Sequence, residues 1–148
     1  FDATSDGVLG ATATSLGQNL FNPQTVFSYY PHDYEVVEDV QGPEFGIQSS
    51  TTAIGRINFV GGLVSTGIGR GTAGGGTTLD LTKLTSLAGD PAALVSALDR
   101  LLLHGTMSGD AARAVTEAVA AVPASYPLGR VQTAVYLVAS SSAYQVAR

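Results

Sequence analysis

His32, Asp33, Glu35, Glu38, Asp39 and Glu44 are the residues of this chain whose types and spacing suit chemistry. They fall within 21–45, FNPQTVFSYYPHDYEVVEDVQGPEF, which holds six of the eleven aromatics, five of the twelve carboxylates, three of the six prolines and one of the two histidines. Carboxylates on an irregular loop suit a hard cation such as Ca²⁺, which takes six to eight oxygen ligands in flexible geometry. Asp33, Glu35, Glu38, Asp39 and Glu44 are therefore the metal-ligand candidates. A cation held there would polarise an ester or lactone carbonyl, or acidify a bound water, with His32 as proton acceptor and Asp33 beside it as catalytic candidates. The spacing is not that of an EF-hand loop, which alternates its ligands and ends on a bidentate glutamate. A solvated acidic loop is the reading that needs no ligand.

The other constellations point to structure. Phe21, Phe27, Tyr29, Tyr30, Tyr34 and Phe45 either fasten the loop to helices by buried rings or leave a stacking surface for a sugar. His104 precedes Gly105 at a helix C-terminus, where a histidine caps carbonyls and meets a favourable dipole. Gly69-Arg70-Gly71-Thr72-Ala73-Gly74 fits G-x-G-x-x-G as a string but lacks the βαβ setting that gives the motif meaning. There is no G-x-S-x-G elbow and no Walker lysine. Ser140, Ser141 and Ser142 lie on a helix, where small hydroxyls allow close packing. Arg56 and Arg130 interrupt apolar helices and require partners, for which the acidic loop is one source.

Composition narrows the classes further. The chain has 148 residues, 45% hydrophobic and only 13% charged, with a net charge of −5. Seven scattered basic residues cannot supply the clustered cation that nucleic acid needs, so no nucleic-acid partner is expected. The absence of cysteine excludes disulfides, thiol catalysis and thiolate metal sites. No run reaches 18 apolar residues, so no membrane span is expected. The chain opens on Phe1 without a signal-peptide pattern, which suggests a processed product or a piece of a longer protein.

The elements that must position these residues read as helices. Residues 1–20 suggest weak helix or coil. Asn22-Pro23 and Tyr30-Pro31 keep 21–42 irregular, with one helical turn at 24–29 and a short strand at 34–37. Pro43 opens a helix over 44–63, in which Gly46, Gly55, Gly61 and Gly62 each cost about 1 kcal/mol against alanine. A Gly-rich linker covers 67–76, and Leu79, Leu81, Leu84 and Leu87 space a short helix. Asp90 as N-cap and Pro91 as first helical residue start the clearest helix, with Leu94, Val95, Leu98, Leu101 and Leu102 as its apolar stripe. Ser108 or Asp110 caps the next, with Ala111, Val115, Val119 and Val122 inward, and Pro123 stops it. The last runs over 127–146 and is apolar nearly all round, the mark of a central helix. The expected fold is all-α: residues 1–148 as one small bundle of about five helices, with the aromatic and acidic loop packed across it.

Several blocks together resemble one family. They are Phe21-Asn22-Pro23, Phe27 with Tyr29-Tyr30-Pro31, Gly42-Pro43-Glu44-Phe45, Ala53 with Arg56-Ile57-Asn58-Phe59-Val60, and Leu101 to Ser108, LLLHGTMS. The series closes on Arg130, Gln132-Thr133-Ala134-Val135-Tyr136-Leu137-Val138-Ala139, Ser141-Ser142 and Tyr144-Gln145-Val146. The chain in this respect is similar to the C-terminal end of the bacterial proteins called "domain of unknown function 1800". The resemblance implies a helical, exported protein, periplasmic or extracellular, whose partner is the N-terminal part of its own longer form. Self-association is the other partner expected. The function expected is a structural or interaction module, and the alternative is a small cation-dependent hydrolase of an ester or lactone built on His32 and the acidic loop.

Overall fold

The start signal at Asp90 works as its chemistry requires in the computed structural model, which describes residues 2–26, 28–69 and 75–146. Asp90 Oδ1 accepts the amides of Ala92 and Ala93, both at 3.1 Å, and Pro91 opens the helix Pro91–Leu102. The chain divides into two compact units, one of Phe1–Asp6 with Val60–Arg148 and the other Gly7–Phe59. In chain order the elements are β1 (Asp2–Ser5), α1 (Gly10–Ser15), β2 (Glu35–Val37), β3 (Val40–Gln41), a 3₁₀ helix (Pro43–Ile47), α2 (Ser50–Ser65) and β4 (Thr77–Asp80). They continue with α3 (Thr82–Thr85), α4 (Pro91–Leu102), α5 (Gly109–Ala121), α6 (Pro127–Ala139) and α7 (Ser142–Gln145).

The first unit is built around α6. This helix packs on α3, α4, α5 and α7, and its Val131, Ala134, Val135 and Val138 are buried with Leu84 of α3, Leu94 and Leu98 of α4 and Val119 of α5. The central position that an all-round apolar helix implies is thus the one α6 occupies. Leu101, placed by spacing in the α4 stripe, stays exposed. Ser108 is the cap of α5, its Oγ accepting Ala111 N–H at 3.2 Å. The expected helix over 127–146 breaks at Ser140-Ser141, where hydroxyls compete with the backbone: Ser141 Oγ donates to the Val138 carbonyl at 2.7 Å. Gln145 Nε2 then caps α6 on the Ala139 carbonyl at 2.7 Å.

The all-α expectation is corrected. The protein is 53% helical with seven helices among the described residues, and small antiparallel strand pairs make the fold mixed α/β, though mostly helical. One pair joins β1 to β4, from Asp2 opposite Asp80 to Ser5 opposite Thr77. Side chains reinforce it: Thr4 Oγ1 meets Thr78 Oγ1 at 2.8 Å, Ser5 Oγ meets Thr77 Oγ1 at 2.6 Å, and Lys83 Nζ reaches Asp2 Oδ2 at 2.7 Å. The segment Asp2-Ala3-Thr4-Ser5 carries no apolar alternation, because all four residues are exposed. Its strand character comes from a partner distant in sequence. Beside this pair, Ile68 bridges Thr77. The expected helix over 79–87 accordingly splits into β4 and the single turn α3. Residues 70–74 of the Gly-rich linker lie outside the described residues.

In the second unit, Pro43 opens only the 3₁₀ helix. The long helix starts later, because Ser49 and Thr52 form a reciprocal cap. Ser49 N–H donates to Thr52 Oγ1 at 2.8 Å, and Thr52 N–H donates to Ser49 Oγ at 3.2 Å. Helix α2 therefore spans Ser50–Ser65 rather than 44–63, and its residues from Val60 on belong to the first unit.

Candidate functional site

The acidic candidates sit on the β2–β3 hairpin and its approaches. Tyr34 N–H donates to the Pro31 carbonyl at 3.3 Å, turning the chain past His32 and Asp33 into β2. Val37 pairs with Val40 across the Glu38-Asp39 turn, and Asp39 takes φ 63°, a left-handed conformation that aspartate tolerates better than most residues. Gly42 N–H then donates to the Tyr34 carbonyl at 2.9 Å and closes the hairpin onto the 3₁₀ helix.

The two faces of the hairpin differ. Val36, 46% exposed, lies over Gly42, where an added Cβ would be 2.8 Å from Val36 Cγ2 and 2.9 Å from Phe45 Cδ2. Gly46, itself exposed, is approached by Tyr30 and Tyr34, with the Tyr30 Cβ only 2.9 Å from where a side chain would begin. Gly42 is buried, and Tyr30 and Phe45 are half-buried. Tyr29 is tied locally by its hydroxyl, which donates to the Asn19 carbonyl at 2.6 Å. The loop is thus held by close approach of rings to glycines within its own unit. Phe21 is 99% exposed and takes no part, and Phe27 lies outside the described residues. On the opposite face Val37 and Val40 remain 61% and 52% exposed.

His32, Asp33, Glu35, Glu38 and Asp39 are all exposed, and Glu44 is half-buried at the start of the 3₁₀ helix. The structure strings them along the hairpin. Among the described residues, no three His, Asp or Glu side chains gather closely enough to hold a metal ion. The ion pairs among the described residues join Lys83 to Asp2 and Arg113 to Asp110, so none involves the hairpin.

Arg130 is buried in α6, but its partners are carbonyls. Nε donates to Val122 at 2.8 Å and Nη1 to Ala88 at 2.9 Å. Val122 caps the end of α5 and Ala88 lies in the turn before α4, so the guanidinium serves chain ends that lack donors. Gln132 similarly donates to the Val64 carbonyl near the end of α2 at 3.0 Å. His104 is exposed at φ 55°, with Gly105 at φ 80°, and the backbone itself ends α4: the amides of Leu103 and Gly105 both donate to the Asp99 carbonyl.

Two adjoining clefts near α7 were not foreseen. One of about 490 Å³ is lined by Leu102, His104, Thr106, Tyr144 and Val146, and a neighbour of about 200 Å³ by Met107, Val115, Leu137, Ser141 and Ser142. Both are lined in part by residues that follow the α6–α7 break, which periodicity alone does not show. No protein-family model, curated protein or solved structure matches this chain.

Proposed function

We propose that the chain is a structural or interaction module of an exported bacterial protein, in which Gly7–Phe59 supplies the interacting surface and the α3–α6 core supplies the stable base. One observation carries the reading: among the described residues of Gly7–Phe59, no apolar side chain is buried. Phe21 at 99% and Val26 at 94% exposure are the extremes. Ordering a backbone costs about 1–2 kcal/mol per residue, and burial of apolar surface is the main term that offsets it. A segment that buries so little is completed by something else.

The complement is the N-terminal part of a longer form, as the resemblance suggests, or another polypeptide. Export rests on the resemblance alone. The test is amide exchange on the isolated chain, with binding of a hydrophobic dye. Residues 7–59 are expected to exchange far faster than α4–α6, and the dye is expected to bind. Equal protection throughout, with no dye bound, would refute the module.

A further inference from the structure

We propose that the solvent face of the β2–β3 hairpin docks an extended basic polypeptide segment in which lysine or arginine alternates with apolar residues. The inference deepens the interaction reading and rests on it. Three observations converge.

The first is an open edge. The sheet has two strands, and no backbone hydrogen bond joins residues 35–41 to any described residue outside the pair. Such an edge offers a row of donors and acceptors to a third strand, and main-chain pairing then supplies affinity while alternate side chains supply selection.

The second is the division of the valines. Val36 lies over Gly42 yet is still 46% exposed, whereas Val37 and Val40, opposite each other and 61% and 52% exposed, present an apolar spot to water. An added strand places every second side chain on that face.

The third is charge. Gly7–Phe59 contains five carboxylates and a single basic residue, Arg56, so it carries −4 of the chain's net −5. Asp33, Glu35, Glu38 and Asp39, on the same hairpin and its approach, are exposed and make no ion pair among the described residues. Because they do not gather into a metal-holding group, a partner with its own charges spread along a strand matches them better than one cation. A second hairpin of the same chain would set carboxylates against carboxylates, which is destabilising across strands.

The experiment is an amide-shift titration of the whole chain with a seven-residue capped peptide alternating Lys and Val. Saturable shifts confined to residues 34–42 are expected. Affinity is expected to fall about tenfold or more when Ser replaces Val in the peptide, or when alternate peptide nitrogens are methylated. The double variant Val37→Ser with Val40→Ser, at positions exposed enough to leave circular dichroism unchanged, should lose binding to a similar degree. Glu35→Lys with Glu38→Lys should invert the preference towards a Glu–Val peptide. Equal binding of the Lys–Ser peptide would reduce the effect to bulk charge and overturn the proposal, as would shifts elsewhere or none at all. If the peptides fail while residues 7–59 exchange fast and bind dye, the module stands and this occupant is wrong. If those residues are fully protected, the module itself falls.

Discussion

Arg130 shows how a single side chain can connect elements without an ion pair. Its guanidinium places two donors in one plane, and here they reach the carbonyls of Val122 and Ala88, which no helical amide satisfies. Arg130→Ala would leave both without that donor, and the expected loss is about 2–4 kcal/mol in a urea denaturation series. Arg130→Lys should recover less than half, since one ammonium cannot span both sites. The sequence showed that an arginine in an apolar helix needs partners, but it pointed to carboxylates because only side chains are visible in a string of letters. Backbone acceptors leave no signature there. His104 gives the opposite case, a side chain that the local structure would do better without. At φ 55° it occupies a region that glycine enters freely. His104→Gly is expected to raise stability by about 0.5–1 kcal/mol, read as an upward shift in Tm. A fall would mean that the imidazole makes a contact worth more than the strain.

Among elements, legibility followed the range of the determining contacts. Helix α4 was readable because Asp90, Ala92 and Ala93 settle its start within four residues. Helix α2 was misplaced because the proline at 43 is the more conspicuous signal, although the Ser49–Thr52 cap governs. The β1–β4 pair was invisible, since its strands are short and polar and find each other across about half of the chain. At the end of β4, Asp80 accepts from the hydroxyl and, at 2.9 Å, from the amide of Thr82. The Thr82 hydroxyl first, then the Thr82 amide, hold its carboxyl below the ordinary 3.8. The bonds therefore contribute fully above that value and are lost as pH falls through the lower folded one. Amide exchange at Thr82 should accelerate on acidification below about pH 4 relative to its intrinsic rate. Asp80→Asn should show no such step, and a step that persists would assign it to another group.

For the molecule as a whole, the division of labour is between a unit with a core and a unit without one. The buried apolar side chains, from Val64 to Ala139, belong to the first unit, while the second is held by rings laid over glycines and by loop hydrogen bonds. Free energies of opening should differ accordingly. In native-state exchange with rising urea, residues 7–59 are expected to merge into an early transition and α4–α6 into a late one. A single coincident transition would show the chain to be one cooperative body. Composition did mark 21–45 as the odd segment, and the structure gives that oddity a physical form: acidic, aromatic and mostly in water. What composition could not supply was that Val36 lies over Gly42 while Val37 pairs with Val40, which depends on one-residue alternation in a strand too short to betray its phase.

The β1–β4 clasp also sets an order of events during synthesis. Asp2 leaves the ribosome well ahead of its partner Asp80, which follows only after the whole of Gly7–Phe59 has been made. At about 5–20 residues per second, β1 waits roughly 4–15 s for β4. The unit without buried apolar side chains is thus made before the helices α3–α6 that hold the core. Nascent chains stalled before residue 77 should accordingly be the most sensitive to protease, with protection rising sharply once β4 is available.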